Sequence, residues 1–479
     1  MGNVDCLSTA RHLAKAIKDR DVSAREVMEA HLVQIDKVNT EVNAIVSLDK
    51  EHALKEADQA DKLLAGGEMP GPLHGLPVAI KDTHQAKGFP MTSGSLALRD
   101  NISTEDDLHV ERLKKAGAII IGKTNVPEFG AGAHTFNEVF GVTRNPYSPA
   151  YTAGGSSGGA AVAVTTGMLP FADGSDMGGS CRFPTAFNNV VGMRTSPGRI
   201  PYPKPALYSP LVTQGPIARN VEDASLMLSI MAGPDNRSPI SIEESGEKFL
   251  QPFSENLTGL RIAWSADFGG ALPVESDVKR NVEAQMNYFT ELGCHVEEAC
   301  PDLTEAEEVF HVFRAWEIEM SYSELFEQYE DVMKPSFKWN FNIGRSLRGS
   351  DLGRAERLRS LLYHRMRTFF EKYDALVLPV SQVTPFDINL EYPAEINEVK
   401  MENYIDWMRS CYYISALGNP ALSVPSGFTE DGRPLGLQIV GPHRADYDVL
   451  QIGRAFERTT NYGKQRPPIA TAEGGHIST

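Results

Sequence analysis

Apolar residues recur at near-helical spacing through the first forty positions: Leu13, Ile17, Val27, Leu32 and Ile35. Steps of three and four residues put such positions on one helix face, so residues 7–38 are predicted to be helical. Within them Ser23-Ala-Arg-Glu26 has the form of a capping box. Residues 51–65 form a second amphipathic pattern, ended by Gly66-Gly67. Then the texture changes. Leu76–Ile80 is apolar throughout, a short buried strand running into Lys81-Asp82, and Ala118–Ile121 is another. Asp107–Ala116 reads as a helix, and the small apolar residues 158–167 as a buried one. Strands are predicted at Leu260–Trp264, at Ala375–Leu378 (stopped by Pro379) and at Leu435–Val440 (stopped by Gly441-Pro442). Helix-like strings fill 276–293, 304–372 and 446–459, and the tail after Pro467 is expected to be loose. Strands alternating with helices predict an α/β sheet covered on both faces. No repeat, low-complexity linker or domain boundary interrupts the pattern.

Composition changes this picture little. The chain has 479 residues, 41% of them hydrophobic and 23% charged, which places it with ordinary globular proteins. A net charge of −17 argues against nucleic acid and anionic membranes as partners. The five cysteines (Cys6, Cys181, Cys294, Cys300 and Cys411) contain no CxxC pair, so neither a disulfide framework nor a cysteine-rich zinc site is expected. With no leader-like segment and no run long enough for a membrane span, a soluble cytoplasmic protein is expected.

Two motifs mislead. Gly117–Thr124 satisfies GxxxxGK[ST], but its middle is an apolar strand and Pro127 interrupts any following helix. A phosphate-binding loop needs a flexible turn and a helix start there. Gly154-Gly-Ser-Ser-Gly-Gly159 contains GxSxG twice, centred on Ser156 and on Ser157. A nucleophile elbow needs a strand just before it, and Asn145-Pro-Tyr-Ser-Pro149 cannot supply one.

The glycine-serine segment has company, however. Asp173-Gly-Ser-Asp-Met-Gly-Gly-Ser-Cys-Arg-Phe-Pro184 lies downstream and Gly75-Leu-Pro-Val-Ala-Ile-Lys-Asp82 upstream. The trio resembles the amidase signature family of serine hydrolases. Gly122–Glu128, Val191–Arg199, Asn419–Pro425 and Gly436–Pro442 extend the resemblance over nearly the whole chain, weakest in 235–370. It implies one amidase domain over 1–479: an α/β fold with a large mixed sheet between helices, a catalytic core at about 70–235 and 373–460, and a helical elaboration at about 300–372. It also implies a catalytic triad of Lys81, Ser156 and Ser180, with a cis peptide between Gly155 and Ser156. Met177, Cys181, Asn188-Asn189 and Met193-Arg194 depart from the usual residues without touching that triad.

The chemistry fits these residue types. A serine hydroxyl becomes a nucleophile only when a base takes its proton. A buried lysine can be that base, because low dielectric disfavours its ammonium form. In the implied scheme Ser156 relays a proton from Ser180 to Lys81 and later returns one to the leaving amine. The backbone N–H groups of Met177, Gly178 and Gly179 form the expected oxyanion hole. Phe129, Gly130, Ala131, Gly132 and Gly155 are expected at the substrate; the small residues either make room for a flat group or let the loop pass close to the sheet. Trp316, Phe337, Trp339 and Phe341 are either a pocket wall or helix-packing aromatics. His84 is expected to be a hydrogen-bonded residue at the pocket edge, His74 structural, Cys181 turned away, and Asp176 with Arg182 a brace for the loop.

The expected function is hydrolysis of a small-molecule amide or carbamate with no metal and no cofactor, by a monomer or homodimer. The resemblance is to the bacterial amidase branch that includes aryl acylamidases and urethanases. The alternatives are an amidotransferase A-type subunit supplying ammonia to a partner, a Ser-His-Asp esterase, and an inactive binding module.

Overall fold

The computed structural model describes residues 4–69, 71–203, 206–254 and 256–471. Two sheets organise it. The smaller contains β1 (Ile45–Leu48), β2 (Pro77–Lys81) and β3 (Ile119–Thr124) in the order β1-β3-β2. The larger contains β4 (Phe171–Asp176), β5 (Val191–Arg194), β6 (Thr213–Ala218), β7 (Arg261–Trp264), β8 (His295–Glu298), β9 (Ala375–Pro379), β10 (Ala421–Phe428) and β11 (Pro434–Val440). Its order is β8-β7-β9-β11-β10-β5-β6-β4. The β8–β7 and β7–β9 pairs are parallel and the remaining pairs antiparallel, so the sheet is mixed.

The helices of the first half are α1 (Ala10–Asp19), α2 (Ala24–Val42), α3 (Lys50–Ala65), α4 (Leu108–Lys115), α5 (Gly158–Thr165), α6 (Phe183–Phe187) and α7 (Val221–Met231). Those of the second half are α8 (Ser276–Glu291), α9 (Ala306–Tyr329), α10 (Pro335–Ser346), α11 (Gly349–Lys372), α12 (Arg409–Leu417), α13 (Asp446–Thr460) and α14 (Pro468–Thr471). Strand alternation divides the interior in two. Ala375 and Val377 of β9 face a core built with α1, α2, α5, α7, α8 and α13, whereas Leu376 and Leu378 face a core built with α6, α9, α11 and α12. The large sheet is thus covered on both faces, as the alternation of strands and helices predicts.

Several local expectations hold in detail. The capping box at Ser23 and Glu26 is formed in both directions. Gly66 caps α3. Others are refined. The helix-like stretch 304–372 is three helices, broken at 330–334 and 347–348, with Pro335 opening α10 where its missing N–H costs nothing. Pro379 is the last residue of β9 rather than its stop. The tail expected to be loose begins with the short α14; residues 472–479 lie outside the described residues.

The two sheets meet where β2 runs beside β4. No backbone ladder joins them there. Instead the buried Asp173 carboxylate of β4 accepts the Lys81 backbone N–H at 2.8 Å, a side chain standing in for a strand partner.

Candidate functional site

Lys81 is the last residue of β2, and its side chain is fully buried. Its Nζ lies 2.8 Å from Ser156 Oγ, 2.8 Å from Ser157 Oγ and 3.0 Å from Ser175 Oγ. The first two hydroxyls stand at the entry of α5, after a cis peptide between Gly155 and Ser156. Ser175 comes from β4, two residues beyond Asp173, and the period of a strand turns both side chains toward Lys81. Burial pushes the Lys81 ammonium down to about 8, against the pull of the nearby Asp173 and Asp176 carboxylates. A neutral amine keeps two N–H donors and gains a lone pair. One of the three hydroxyls must then donate to it, and of these Ser156 and Ser175 also line the neighbouring cavity.

That cavity has a volume of about 320 Å³ and is lined by Ser156, Ser180, Gly178 and Met177 among others. Ser180 closes a tight turn after β4. The turn is organised from below by the fully buried Asp176, which accepts the Gly179 N–H at 3.0 Å and the Cys181 N–H at 3.1 Å. Arg182 grips the same carboxylate through Nε at 3.0 Å and Nη2 at 2.9 Å, and Arg194 through Nη1 at 3.2 Å. These cations hold Asp176 well below the usual carboxylate range although burial alone would raise it. Glycine is required at both turn positions. A Cβ on Gly178 would meet Phe310 Cζ at 2.8 Å; Gly179 has φ +120° and its Cβ would come within 2.4 Å of Phe183. The Gly179 N–H is thus engaged by Asp176, whereas those of Met177 and Gly178 meet no protein acceptor among the described residues.

Phe129, Gly130, Ala131 and Gly132 all line the cavity. Gly155, expected at the substrate, instead packs against the Ala133–His134 backbone, where a Cβ would stand at 3.1 Å. The four aromatics of the second half do not line it. Phe337 is buried against Phe129, Phe341 stacks on Phe326, Trp316 packs on Phe313 and Trp339 is partly exposed beside Tyr404. They are packing residues; the aromatic rings at the cavity are Phe129, Tyr322 and Tyr202.

His84 stands at the cavity edge with Nδ1 2.5 Å from Asp173 Oδ2, and His109 Nε2 reaches the same oxygen at 3.2 Å. Burial holds His84 down at about 4, so at neutral pH its Nδ1–H donates to the carboxylate. Asp173 stays ionised despite burial because the two imidazoles and the Lys81 N–H all face it. His74 is structural, bonded to Ala60 O at 3.0 Å. The Cys181 thiol is buried and pushed up by that burial, and it points toward Gly174 and Gly215. In the misleading GxxxxGK[ST] stretch, Gly122 is a strand residue and Lys123 donates to the His84 carbonyl. Two groups of potential metal ligands occur among the described residues, His84–His109–Asp173 and Glu307–His311–Asp406. In the first both imidazoles already bond the carboxylate; in the second Arg409 lies 3.1 Å from Glu307 and 3.7 Å from Asp406.

Sequence reasoning missed Ser157, Ser175 and Asp173 around the lysine, and Arg314 and Glu317 of α9 in the cavity wall. A signal for the second and third existed: Asp173 and Ser175 alternate in a segment next to the expected nucleophile. Read as a strand, that spacing puts both on one face.

A buried lysine, hydroxyls on its amine and a glycine turn meet at one cavity of an α/β fold, and known proteins resemble the chain over nearly its whole length. The amidase family pattern matches residues 26–450. An acylamidase of Rhodococcus erythropolis is 35% identical, with 96% of this chain and 97% of that protein aligned. The A-type subunit of the glutamyl-tRNA(Gln) amidotransferase of Desulforudis audaxviator (strain MP104C) is 33% identical, over 98% of this chain and 99% of that protein. Among solved structures, a bacterial aryl acylamidase of the amidase signature family superposes with a TM-score of 0.92 at 27% identity, covering 98% of this chain and 99% of the other. The chain belongs to the amidase family of amide-hydrolysing enzymes. No helix among the described residues is long and apolar enough to cross a membrane.

Proposed function

We propose that this chain hydrolyses small aryl amides, and aryl carbamates more slowly, through Lys81, Ser156 and Ser180. The observation that carries the reading is the 2.8 Å contact between the buried Lys81 amine and Ser156 Oγ, at the cavity that also holds Ser180. Neutral Lys81 takes the Ser156 proton, Ser156 takes that of Ser180, and Ser180 Oγ adds to the carbonyl carbon. The oxyanion is met by the Met177 and Gly178 N–H groups. The intermediate collapses as Ser156 delivers a proton to the leaving nitrogen and recovers one from the Lys81 ammonium, which restores the neutral amine; an amide nitrogen is a poor leaving group without that proton. Water then repeats the sequence on the acyl-enzyme, with Lys81 again the base. Asp176 holds the turn, and Asp173 fixes the lysine backbone.

A fluorophosphonate probe tests the assignment. Wild type should be labelled at Ser180, and Ser180→Ala should lose both label and turnover. A label mapped to Ser156, Ser157 or Cys181 would overturn it. The likeness to A-type amidotransferase subunits supports a second reading, ammonia release to a partner. Amide turnover by the purified chain, with no second protein, separates the two.

A further inference from the structure

Arg314 sits on α9 in the wall of the cavity that Ser180 also lines, and it is 4% exposed. A guanidinium has five N–H donors and always carries its charge. Here Nη2 donates to the Tyr404 hydroxyl at 2.5 Å and Nη1 meets only the Met177 thioether at 3.2 Å, a weak acceptor. Nε has no partner among the described residues. No carboxylate lies within ion-pair distance of Arg314 among those residues. Glu317, one turn along the same helix, is bonded to Ser209 instead, and burial pushes its carboxyl up to about 7. The contrast with the other buried guanidiniums near the site is sharp. Arg182 and Arg194 each share the Asp176 carboxylate. A buried charge normally has its counter-ion beside it; this one faces the substrate cavity with most of its hydrogen-bonding capacity unspent.

We propose that Arg314 is an anion subsite, and that the preferred substrates carry a carboxylate on the acyl side, as in the mono-anilides of dicarboxylic acids. The Met177 contact ties the guanidinium to the residue whose backbone N–H meets the oxyanion, so a carboxylate bound there is placed on the same side as the scissile carbonyl. A planar carboxylate matches the guanidinium fork with two parallel hydrogen bonds. The inference rests on the amide-hydrolase reading of the same cavity.

The test compares kcat/KM for the mono-anilides of succinic, glutaric and adipic acid with uncharged alkyl anilides of equal length, at one ionic strength. In wild type at least one acid should exceed its neutral counterpart tenfold or more. Arg314→Met should shrink that ratio at least tenfold, chiefly through KM. Arg314→Lys should restore only part of it, since an ammonium lacks the planar fork. A wild type that favours the neutral member at every length, or a ratio unmoved in Arg314→Met, would overturn the proposal. Thermal melting shows whether Arg314→Met is folded; if it is not, the wild-type and Arg314→Lys ratios decide. Should wild type cleave no anilide at all, the aryl-amide reading fails, and glutarate binding by calorimetry judges the subsite. Binding weakened in Arg314→Lys then supports it, and equal or absent binding refutes it.

Discussion

An ordinary lysine is an ammonium at neutral pH and has no lone pair with which to accept a proton. Lys81 differs because burial lowers its pKa to about 8. If its neutral form is the base, kcat/KM for an anilide should fall about tenfold per unit below that value and level off above it. A profile that stays flat down to pH 5 would contradict a lysine base. Lys81→Ala should lower turnover by roughly 10²–10⁴-fold while the fold survives. The same logic fixes the sign for Asp173. Its buried charge favours the ammonium form of Lys81, so Asp173→Asn should move the acid limb of the profile toward lower pH. An asparagine cannot accept from Lys81, His84 and His109 together, so one buried donor is left unpaired, and stability should fall by about 1–3 kcal/mol. Unfolding in urea measures the loss, and a limb shifted to higher pH would sink the electrostatic argument.

The turn from Asp176 to Ser180 shows what an element adds to its residues. Four groups, two N–H and two guanidiniums, converge on one carboxylate, and both glycines lie where a Cβ has no room. Gly179→Ala should therefore distort the oxyanion donors and cost about 10²–10³ in kcat. Its KM should change far less, because the damage is to the transition state; a mutant with wild-type kcat would show that the turn has slack. This segment was legible only through its resemblance to a family motif. Its strand, Phe171–Asp176, carries Gly, Ser and two Asp, so no hydrophobic period announces it. The same holds for β10, where Pro425 sits beside a register shift, a bulge that tolerates it. By contrast β2, β3 and β9 are apolar runs and were plain in the sequence, as was the capped α2. The lysine's surroundings were half legible: Ser156 came with the motif, but Ser157, Ser175 and Asp173 converge on it only once β2 and β4 lie side by side.

At the scale of the molecule, the cavity lies between that turn, the Phe129–Gly132 loop, the inner face of α9 and a fourth wall that includes Ile200, Tyr202, Leu207 and Val212. Sequence pattern placed a helix at α9 but not which face it shows, since Arg314, Glu317, Ile318 and Tyr322 read as an ordinary amphipathic mixture. The walls set substrate size. Gly130 and Gly132 have positive φ; an added Cβ would touch Ser156 Oγ at 3.4 Å at the first and Lys334 Nζ at 3.8 Å at the second, so the missing side chain at Gly130 is what keeps the cavity clear beside Ser156. Phe129 and Tyr322 pack together at 4.8 Å between ring centroids and give that space an aromatic side. A flat aryl group fits such a slot, whereas a long peptide needs a groove open at both ends. Anilides should accordingly be cleaved faster than short aliphatic primary amides, and large peptides poorly. An N-aryl carbamate presents the same planar carbonyl and the same nitrogen to protonate, so the same steps should cleave it. Its second oxygen donates into the carbonyl and makes the carbon less electrophilic, so its kcat should fall below that of the matched anilide while KM stays similar. Measuring both constants for an anilide, its N-aryl carbamate and a primary aliphatic amide decides the matter: a strong preference for the primary amide, with both aryl compounds inert, would mean that the loop glycines serve packing and leave no aryl slot.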